Sequence, residues 1–293
     1  MKIDDLQLTT CKESKNYAPK YLIIPAAGLG TRMKSVNPDL PKEMLPVGDK
    51  PAIQYAVEEG LSADIKNIII IISDQKEIIR RYFEDIKVSK KMFPDALNKL
   101  EQIKAECSIT FLYQERQLGE SDAISYAKDI VGSHSVAIVY PDNIYFPSPG
   151  ILKMLKSVYC RYKTDVIALI DVKEENAAGL SNSGKVDIKC LNENVFRIEK
   201  FIHKGKGKFI PRFKGELRSC AMSISGSHIF EYIERLRHAI KDGEFTDFPI
   251  HNLTLKEKRF LGYHLQGTFF DIGNPKGYEL CLRYLERRNH LIS

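Results

Sequence analysis

Five short runs of apolar residues, each followed by an amphipathic stretch or a loop, constrain this chain more than any other feature. They are "YLIIP" from Tyr21, "NIIIIIS" from Asn67, "SITFLYQ" from Ser108, "SVAIVYPDN" from Ser135 and "DVIALIDV" from Asp165. Runs of this length, rich in β-branched residues, read as strands that need cover on both faces. The intervening stretches supply the cover. "PAIQYAVEEGLSA" carries Pro51 at a first helical position and apolar residues at helical spacing. "DQKEIIRRYFEDI" opens on Asp74 as a capping residue, and "ESDAISYAKDIV" and "PSPGILKMLKSVYCRY" follow as further helices. The alternation predicts an α/β fold with a mostly parallel sheet and right-handed crossovers. Such sheets bind ligands at the carboxyl ends of their strands.

Two stretches depart from simple alternation. Residues 87–106 lengthen one crossover and are expected to hold a helix. From about 182 to 225 the pattern turns β-rich and basic, in "SGKVDIKC", "NVFRIEKF", "HKGKGKFIPRFKG" and "RSCAMSISG". The chain then reads as helices from about Gly226 and Thr246, a strand "RFLGYHL", the segment "GTFFDIGNP" and a last helix from Pro275. Residues 1–19 are polar and read as a tail, and 20–293 as a single domain with a β-rich subregion at about 180–225.

Composition narrows the function. Lys plus Arg is 44 against 38 Asp plus Glu, a net charge of +6 spread along the chain. A nucleic-acid binder concentrates its cations, so small anionic substrates fit better. Cys11, Cys107, Cys160, Cys190, Cys220 and Cys281 form no C-x-x-C pair, which argues against structural zinc and against a disulfide framework. The start of the sequence has no apolar signal-peptide core, and the run Ile68 to Ile72 is too short to span a bilayer. The expectation is a reduced, cytoplasmic protein with no membrane partner.

The first strand runs into "AAGLGTRM". This is G-x-G-x-x-M and lacks the third glycine of a dinucleotide fingerprint, and the acidic position about 20 residues on fits poorly, since the intervening segment is rich in Pro and Lys and its second half is no ordinary strand. No G-x-x-x-x-G-K-[ST] occurs either. What remains is a glycine turn after a strand, whose backbone N–H groups can cradle phosphate oxygens. Arg32 is a bidentate phosphate partner, and Lys42 follows in "PKEMLP", held extended by Pro41 and Pro46. The plainer reading is a turn with surface cations.

The stretch "AAGLGTRM…PKEMLPVGDKPAIQY" resembles the signature of the sugar-1-phosphate nucleotidyltransferases, and most closely that of the bacterial UTP–glucose-1-phosphate uridylyltransferases (UDP-glucose pyrophosphorylases). Leu29 and "KEMLP" favour that branch. The resemblance implies a Rossmann-like α/β fold of the nucleotide-diphospho-sugar transferase type, with the β-rich stretch on the sugar side. It implies transfer of a nucleotidyl group from an NTP to a sugar-1-phosphate, releasing pyrophosphate, with Mg²⁺. The family's dimers and tetramers make a homo-oligomer an expectation.

Site roles follow from the same resemblance. Ala26, Ala27, Gly28, Gly30 and Thr31 would cradle the nucleotide, with Arg32 on the β- and γ-phosphates and Lys42 at the α-phosphate. Asp142, in "IVYPDNIYF", and Asp271, in "GTFFDIGNPKGYELC", match the family's two metal carboxylates. Gln114 and Gly119, in "FLYQERQLGESDAI", match the residues that read the pyrimidine edge. Gly179, Glu199 and Lys200 match sugar and sugar-phosphate positions, and Glu244 and Asp247 are further candidates there. The pattern "QLGESDAI" departs from the uridylyl Gly-Leu-Gly-His-Ala, which leaves UTP, dTTP and CTP open, as is the sugar. A binding or regulatory relative that has lost turnover is the alternative from another class, and an NAD-dependent dehydrogenase a distant third.

Overall fold

A computed structural model describes residues 17–172, 174–180, 184–202, 211–237 and 244–292. The predicted basic loop from His203, and nearly all of the predicted tail, lie outside those residues.

The chain opens with strand β1 (Tyr21–Pro25), then the short β2 (Pro46–Val47) and β3 (Lys50–Pro51), and helix α1 (Ala52–Ser62). Next come β4 (Asn67–Ile72), α2 (Glu77–Glu84), α3 (Ile86–Met92), α4 (Leu97–Glu106) and β5 (Ser108–Tyr113). The following unit is α5 (Glu120–Ser125), α6 (Lys128–Val131), β6 (Val136–Val139), β7 (Asn143–Phe146), α7 (Ile151–Tyr162) and β8 (Asp165–Asp171). The last part holds α8 (Glu174–Ala177), β9 (Gly184–Asn192), β10 (Val195–Ile202), β11 (Leu217–Ser225), α9 (His228–Arg237), α10 (Phe248–Glu257), β12 (Phe260–His264), β13 (Thr268–Asp271) and α11 (Pro275–Ile292).

Among the described residues the main sheet has nine strands in the order β5-β4-β1-β6-β11-β8-β12-β10-β9. Strands β5, β4, β1 and β6 are parallel in sequence, as are β8 and β12. β11 runs antiparallel between β6 and β8, and β10 antiparallel between β12 and β9. The last strand of the predicted β-rich stretch lies inside the main sheet, and its first two extend one edge.

The apolar runs are buried on both faces with period two. Leu22, Ile24, Ile68, Ile70 and Ile72 face a core formed with α1, α2, α4 and α7. Ile23, Ile69 and Ile71 face the opposite core, formed with α5, α6, α9 and α10. Each such fully buried isoleucine contributes about 1.5–3 kcal/mol, which fixes the register of the parallel half. A smaller cluster, with Met33, Leu45, Ile144, Phe270, Ile272 and Tyr278, packs α11 against the β7–β13 ribbon.

Local structure differs from expectation at two helices. The helix after β4 opens with a 3-10 turn, Asp74–Lys76, with no side-chain cap hydrogen bond, and Lys76 turns inward rather than into solvent. The predicted helix from Glu120 breaks after Ser125 and resumes at Lys128. After β5 the chain returns to the far side of β1 to form β6, so the strand order reverses between β1 and β6. A crevice at that switch point is where open α/β sheets place their ligands.

Candidate active site

A cleft of about 320 Å³ opens at the carboxyl ends of β1, β5 and β6. Ala27, Gly28, Gly30, Thr31 and Arg32 line one wall, directly after β1. Gly30 takes a left-handed conformation, φ +60°, and starts the 3-10 turn Thr31–Ser35 that carries Arg32. This is the conformation glycine adopts without steric cost. Ala26 is buried beneath the loop, with its N–H bonded to the Ile71 carbonyl at 2.7 Å.

Lys42 enters the cleft from the 3-10 turn Lys42–Met44, its stem passing beside Gly30 at ordinary van der Waals distance from where a Cβ would stand (Cγ 3.6 Å). Its ammonium pairs with the Asp142 carboxylate. Burial alone would lower the Lys42 pKa, but Asp142, with Glu43 and Asp271 behind it, outweighs burial and raises it. Burial likewise pushes Asp142 up, and Lys42 more than offsets it, so the carboxyl is held below its usual value. Both groups are thus charged across the neutral range.

Asp142 sits in the turn between β6 and β7, and Asp271 ends β13, paired in register with Asn143. The Ile272 N–H donates to the Asp142 carbonyl at 2.8 Å, which seals the ribbon. A Cβ built on Gly273 would stand 2.6 Å from Asp142 Oδ2 and 3.1 Å from Asp271 Oδ1, so the two carboxylates converge on that spot. Asn143 Nδ2 donates to Asp142 Oδ1 at 2.8 Å. Two hard oxygen donors side by side, beside a wall suited to phosphate, fit a Mg²⁺ that takes its other ligands from water and substrate. Among the described residues no cluster of three or more His, Cys, Asp or Glu could hold a metal unaided.

The other wall comes from two strapped segments. Phe245 N donates to the Leu118 carbonyl at 2.7 Å, Ser121 N to the Phe245 carbonyl at 3.0 Å and Ser121 Oγ to the Thr246 carbonyl at 2.9 Å. Gly119 sits at the crossing with φ +121°, and a Cβ there would meet Phe245 N at 2.5 Å. Gln114 and Gly119 line the cleft on this side, together with Glu244, Thr246 and Asp247.

Comparison with known proteins decides what this cleft belongs to. Residues 21–282 match the family model described as nucleotidyl transferase. The chain belongs to the nucleotidyl transferase family. A UTP–glucose-1-phosphate uridylyltransferase of Staphylococcus epidermidis is 30% identical over 265 residues, covering 88% of this chain and 89% of the relative. The Bacillus subtilis uridylyltransferase YngB is 29% identical over 283 residues, covering 90% and 93%. Among solved structures, a UDP-glucose pyrophosphorylase complexed with UDP-glucose superposes with a TM-score of 0.77 at 27% identity, over 92% of this chain and 99% of that one. The UTP-bound enzyme of Acinetobacter baumannii shares the fold, with a TM-score of 0.74 at 22% identity over 94% and 99%.

This nucleotidyltransferase brings Gly28, Gly30, Thr31, Arg32, Lys42, Gln114, Gly119 and Asp142 to one cleft, and Asp271 beside Asp142. Glu199 and Lys200 stand elsewhere. Both are exposed on β10, where a register irregularity between Ile198 and Lys200 turns them outward, and Glu199 accepts from Arg197 at 3.0 Å. Their neighbours Phe201 and Ile202 line the cleft instead, with Lys185 of β9. Gly179 is also away from the cleft: a Cβ there would press on Gly277 Cα at 2.9 Å, and its carbonyl accepts from Asn274 Nδ2 at 2.9 Å. Its backbone packs against the start of α11.

Sequence reading missed the support beneath the loop. Lys76 Nζ donates to the Ala26 carbonyl at 2.8 Å and to both Glu43 oxygens, at 2.9 and 2.8 Å. It therefore ties the glycine loop to the turn that carries Lys42. Burial lowers the Lys76 pKa, and Glu43 opposes that shift. In "DQKEII" a lysine reads as a solvated helix cation, and no local signal in the sequence pairs it with Glu43.

Proposed function

We propose that this nucleotidyltransferase transfers a uridylyl group from UTP to glucose-1-phosphate, giving UDP-glucose and pyrophosphate. The observation that carries the reading is the Lys42–Asp142 pair facing Asp271 across from the glycine loop at the β1/β6 switch point. The uridylyltransferase relatives and the UDP-glucose-bound neighbour support the choice of base and sugar.

In this reading the backbone of Ala26, Ala27, Gly28, Gly30 and Thr31 cradles the triphosphate, and Arg32 clamps its β- and γ-phosphates. A sugar-phosphate oxygen, already ionised, attacks the α-phosphorus in line, so no general base is needed. Lys42 offsets charge developing at the α-phosphate. Asp142 and Asp271 would hold Mg²⁺, whose chemistry is to neutralise phosphate charge. Gln114 and Gly119 read the base. Glu199 and Lys200 stay the candidates for the sugar and the sugar phosphate as neighbours of the lining residues Phe201 and Ile202, with Glu244 and Asp247 as further candidates in the cleft wall. The same reading takes the enzyme to be a cytoplasmic homo-oligomer, which light scattering would measure.

The test is pyrophosphate release across a matrix of NTPs and sugar-1-phosphates, with Mg²⁺ and with EDTA. Fastest turnover of UTP with glucose-1-phosphate is expected. Fastest turnover of another pair would replace base or sugar. No release from any pair, with UDP-glucose still bound, would leave a binding protein.

A further inference from the structure

Gln114 is 3% exposed and lines the cleft just past β5. Its Nε2 donates to Asp122 Oδ2 at 2.8 Å and to the Gly119 carbonyl at 3.2 Å. Asp122, in the first turn of α5, is itself buried, and its other oxygen lies 2.9 Å from Arg237 Nη2 at the end of α9. The same guanidinium bonds Ser125 Oγ.

These contacts decide which way the amide points. A primary amide has two donors at one end and an acceptor at the other. A carboxylate paired with a guanidinium can only accept, and so can a carbonyl. Reversing Gln114 would set Oε1 against two acceptors in a buried place, and a mismatch of that kind is costly. The nitrogen end is therefore committed inward, and Oε1 is the end left for a ligand.

We propose that Asp122, held by Arg237, is a positioning residue that sets base specificity by fixing Gln114 Oε1 as an acceptor toward the cleft. The proposal rests on the nucleotide reading above and deepens it. Uracil and thymine carry a donor at N3, which Oε1 can accept. Cytosine carries an acceptor at N3 beside a donor amine, and would need the amide reversed. Asp122 thus selects pyrimidines with an N3–H against cytosine. It also gives a function to part of the departure in "QLGESDAI", since Asp122, one of the residues that break the uridylyl pattern, is the one that orients the glutamine.

The experiment compares kcat/KM for UTP and for CTP in the parent chain, Asp122→Asn and Arg237→Met, with thermal shifts by UDP and CDP as a readout independent of turnover. Asparagine can present its own amide either way, so only the longer contact to the Gly119 carbonyl still opposes reversal of Gln114. The UTP-to-CTP ratio is expected to narrow by about tenfold or more in Asp122→Asn, the scale of one hydrogen-bond mismatch. Arg237→Met, at a half-exposed position, is expected to narrow it less and in the same direction, and Arg237→Lys to keep the parent ratio. A purely structural role would lower both activities together and leave the ratio unchanged, which overturns the proposal. If Asp122→Asn does not fold, an unchanged ratio and unchanged UDP and CDP shifts in Arg237→Met overturn it. A parent chain that prefers CTP overturns the uracil reading itself, and this proposal with it.

Discussion

Lys76 and Glu43 form a buried bidentate pair, with Nζ 2.9 Å from one carboxylate oxygen and 2.8 Å from the other. The two residues come from different crossovers, and the pair lies beneath the glycine loop next to Lys42. Removing one partner leaves a buried charge, which costs about 3–5 kcal/mol, whereas replacing both by apolar groups of similar volume is close to neutral. Lys76→Met is therefore expected to lose about 3–5 kcal/mol in a denaturant melt. Lys76→Met with Glu43→Met is expected to recover most of that loss. The double variant should still turn over slowly, because the Ala26 carbonyl has lost its ammonium donor. A single variant as stable as the parent would show that the pair does not hold the loop.

The Lys42–Asp142 pair makes a separate prediction about the chemistry. Lys42→Met leaves the buried Asp142 carboxylate without its cation, held by Asn143, so some loss of stability is expected as well. In the folded fraction Lys42→Met is expected to lose about 10²–10³ in kcat, the scale of one lost charge-stabilising donor. Asp142→Asn and Asp271→Asn are expected to lose as much and to need more Mg²⁺ for half-maximal rate. EDTA should stop pyrophosphate release and added Mg²⁺ restore it. Turnover that is insensitive to EDTA would remove the metal from the proposed mechanism.

Much of the fold was legible because its strands are apolar on both faces. β1, β4, β6 and β8 had no other way to bury Ile23, Ile69, Ile138 and Ile167. The cleft was legible where local motifs carry it, in "AAGLGTRM" and "PKEMLP". What could not be read was partner choice over long sequence separations. Nothing local says that β11 inserts between β6 and β8, since antiparallel pairing is decided by whichever edge is left open. Lys76 and Asp122 were illegible for a related reason: each reads as a solvated charge until Glu43 and Gln114 are placed beside it. Glu199 and Lys200 show the opposite case. Their motif is local, but the bulge in β10 determines which face they occupy, and no spacing records a bulge.

Glu59 supplies a pH signature. Its carboxylate accepts from Gly150 N at 3.1 Å, Leu152 N at 3.0 Å and Ser148 Oγ at 2.9 Å, which caps the start of α7. Burial raises its pKa above the ordinary 4.5, and those donors only partly pull it back. A carboxyl raised in the folded state binds its proton more tightly there than in the unfolded chain. Its contribution is then fully present below 4.5 and lost as pH rises through the folded pKa. Glu59→Gln has no such titration. The melting temperature of the parent relative to Glu59→Gln is expected to rise as pH is lowered from 7.5 toward about 4.5. Parallel curves over that range would mean that Glu59 keeps an ordinary pKa.

Gly277 sets helix propensity against sterics. It lies in the first turn of α11, where alanine would normally gain about 1 kcal/mol over glycine. Yet a Cβ there would overlap the Asp271 carbonyl oxygen, and would stand 2.8 Å from its carbonyl carbon and 2.8 Å from the Gly179 carbonyl oxygen. These are backbone atoms, held by Asn274 Nδ2, which donates to both carbonyls at 2.9 Å. They cannot swing aside as a flexible side chain could, so the chain around Asp271 must move. Overpacking of this kind costs about 1–3 kcal/mol, which exceeds the propensity gain. Gly277→Ala is expected to melt lower than the parent, and to lose turnover as well, because Asp271 shifts away from Asp142. A variant that melts higher and turns over normally would mean that α11 slides to accept the methyl group without disturbing the carboxylates.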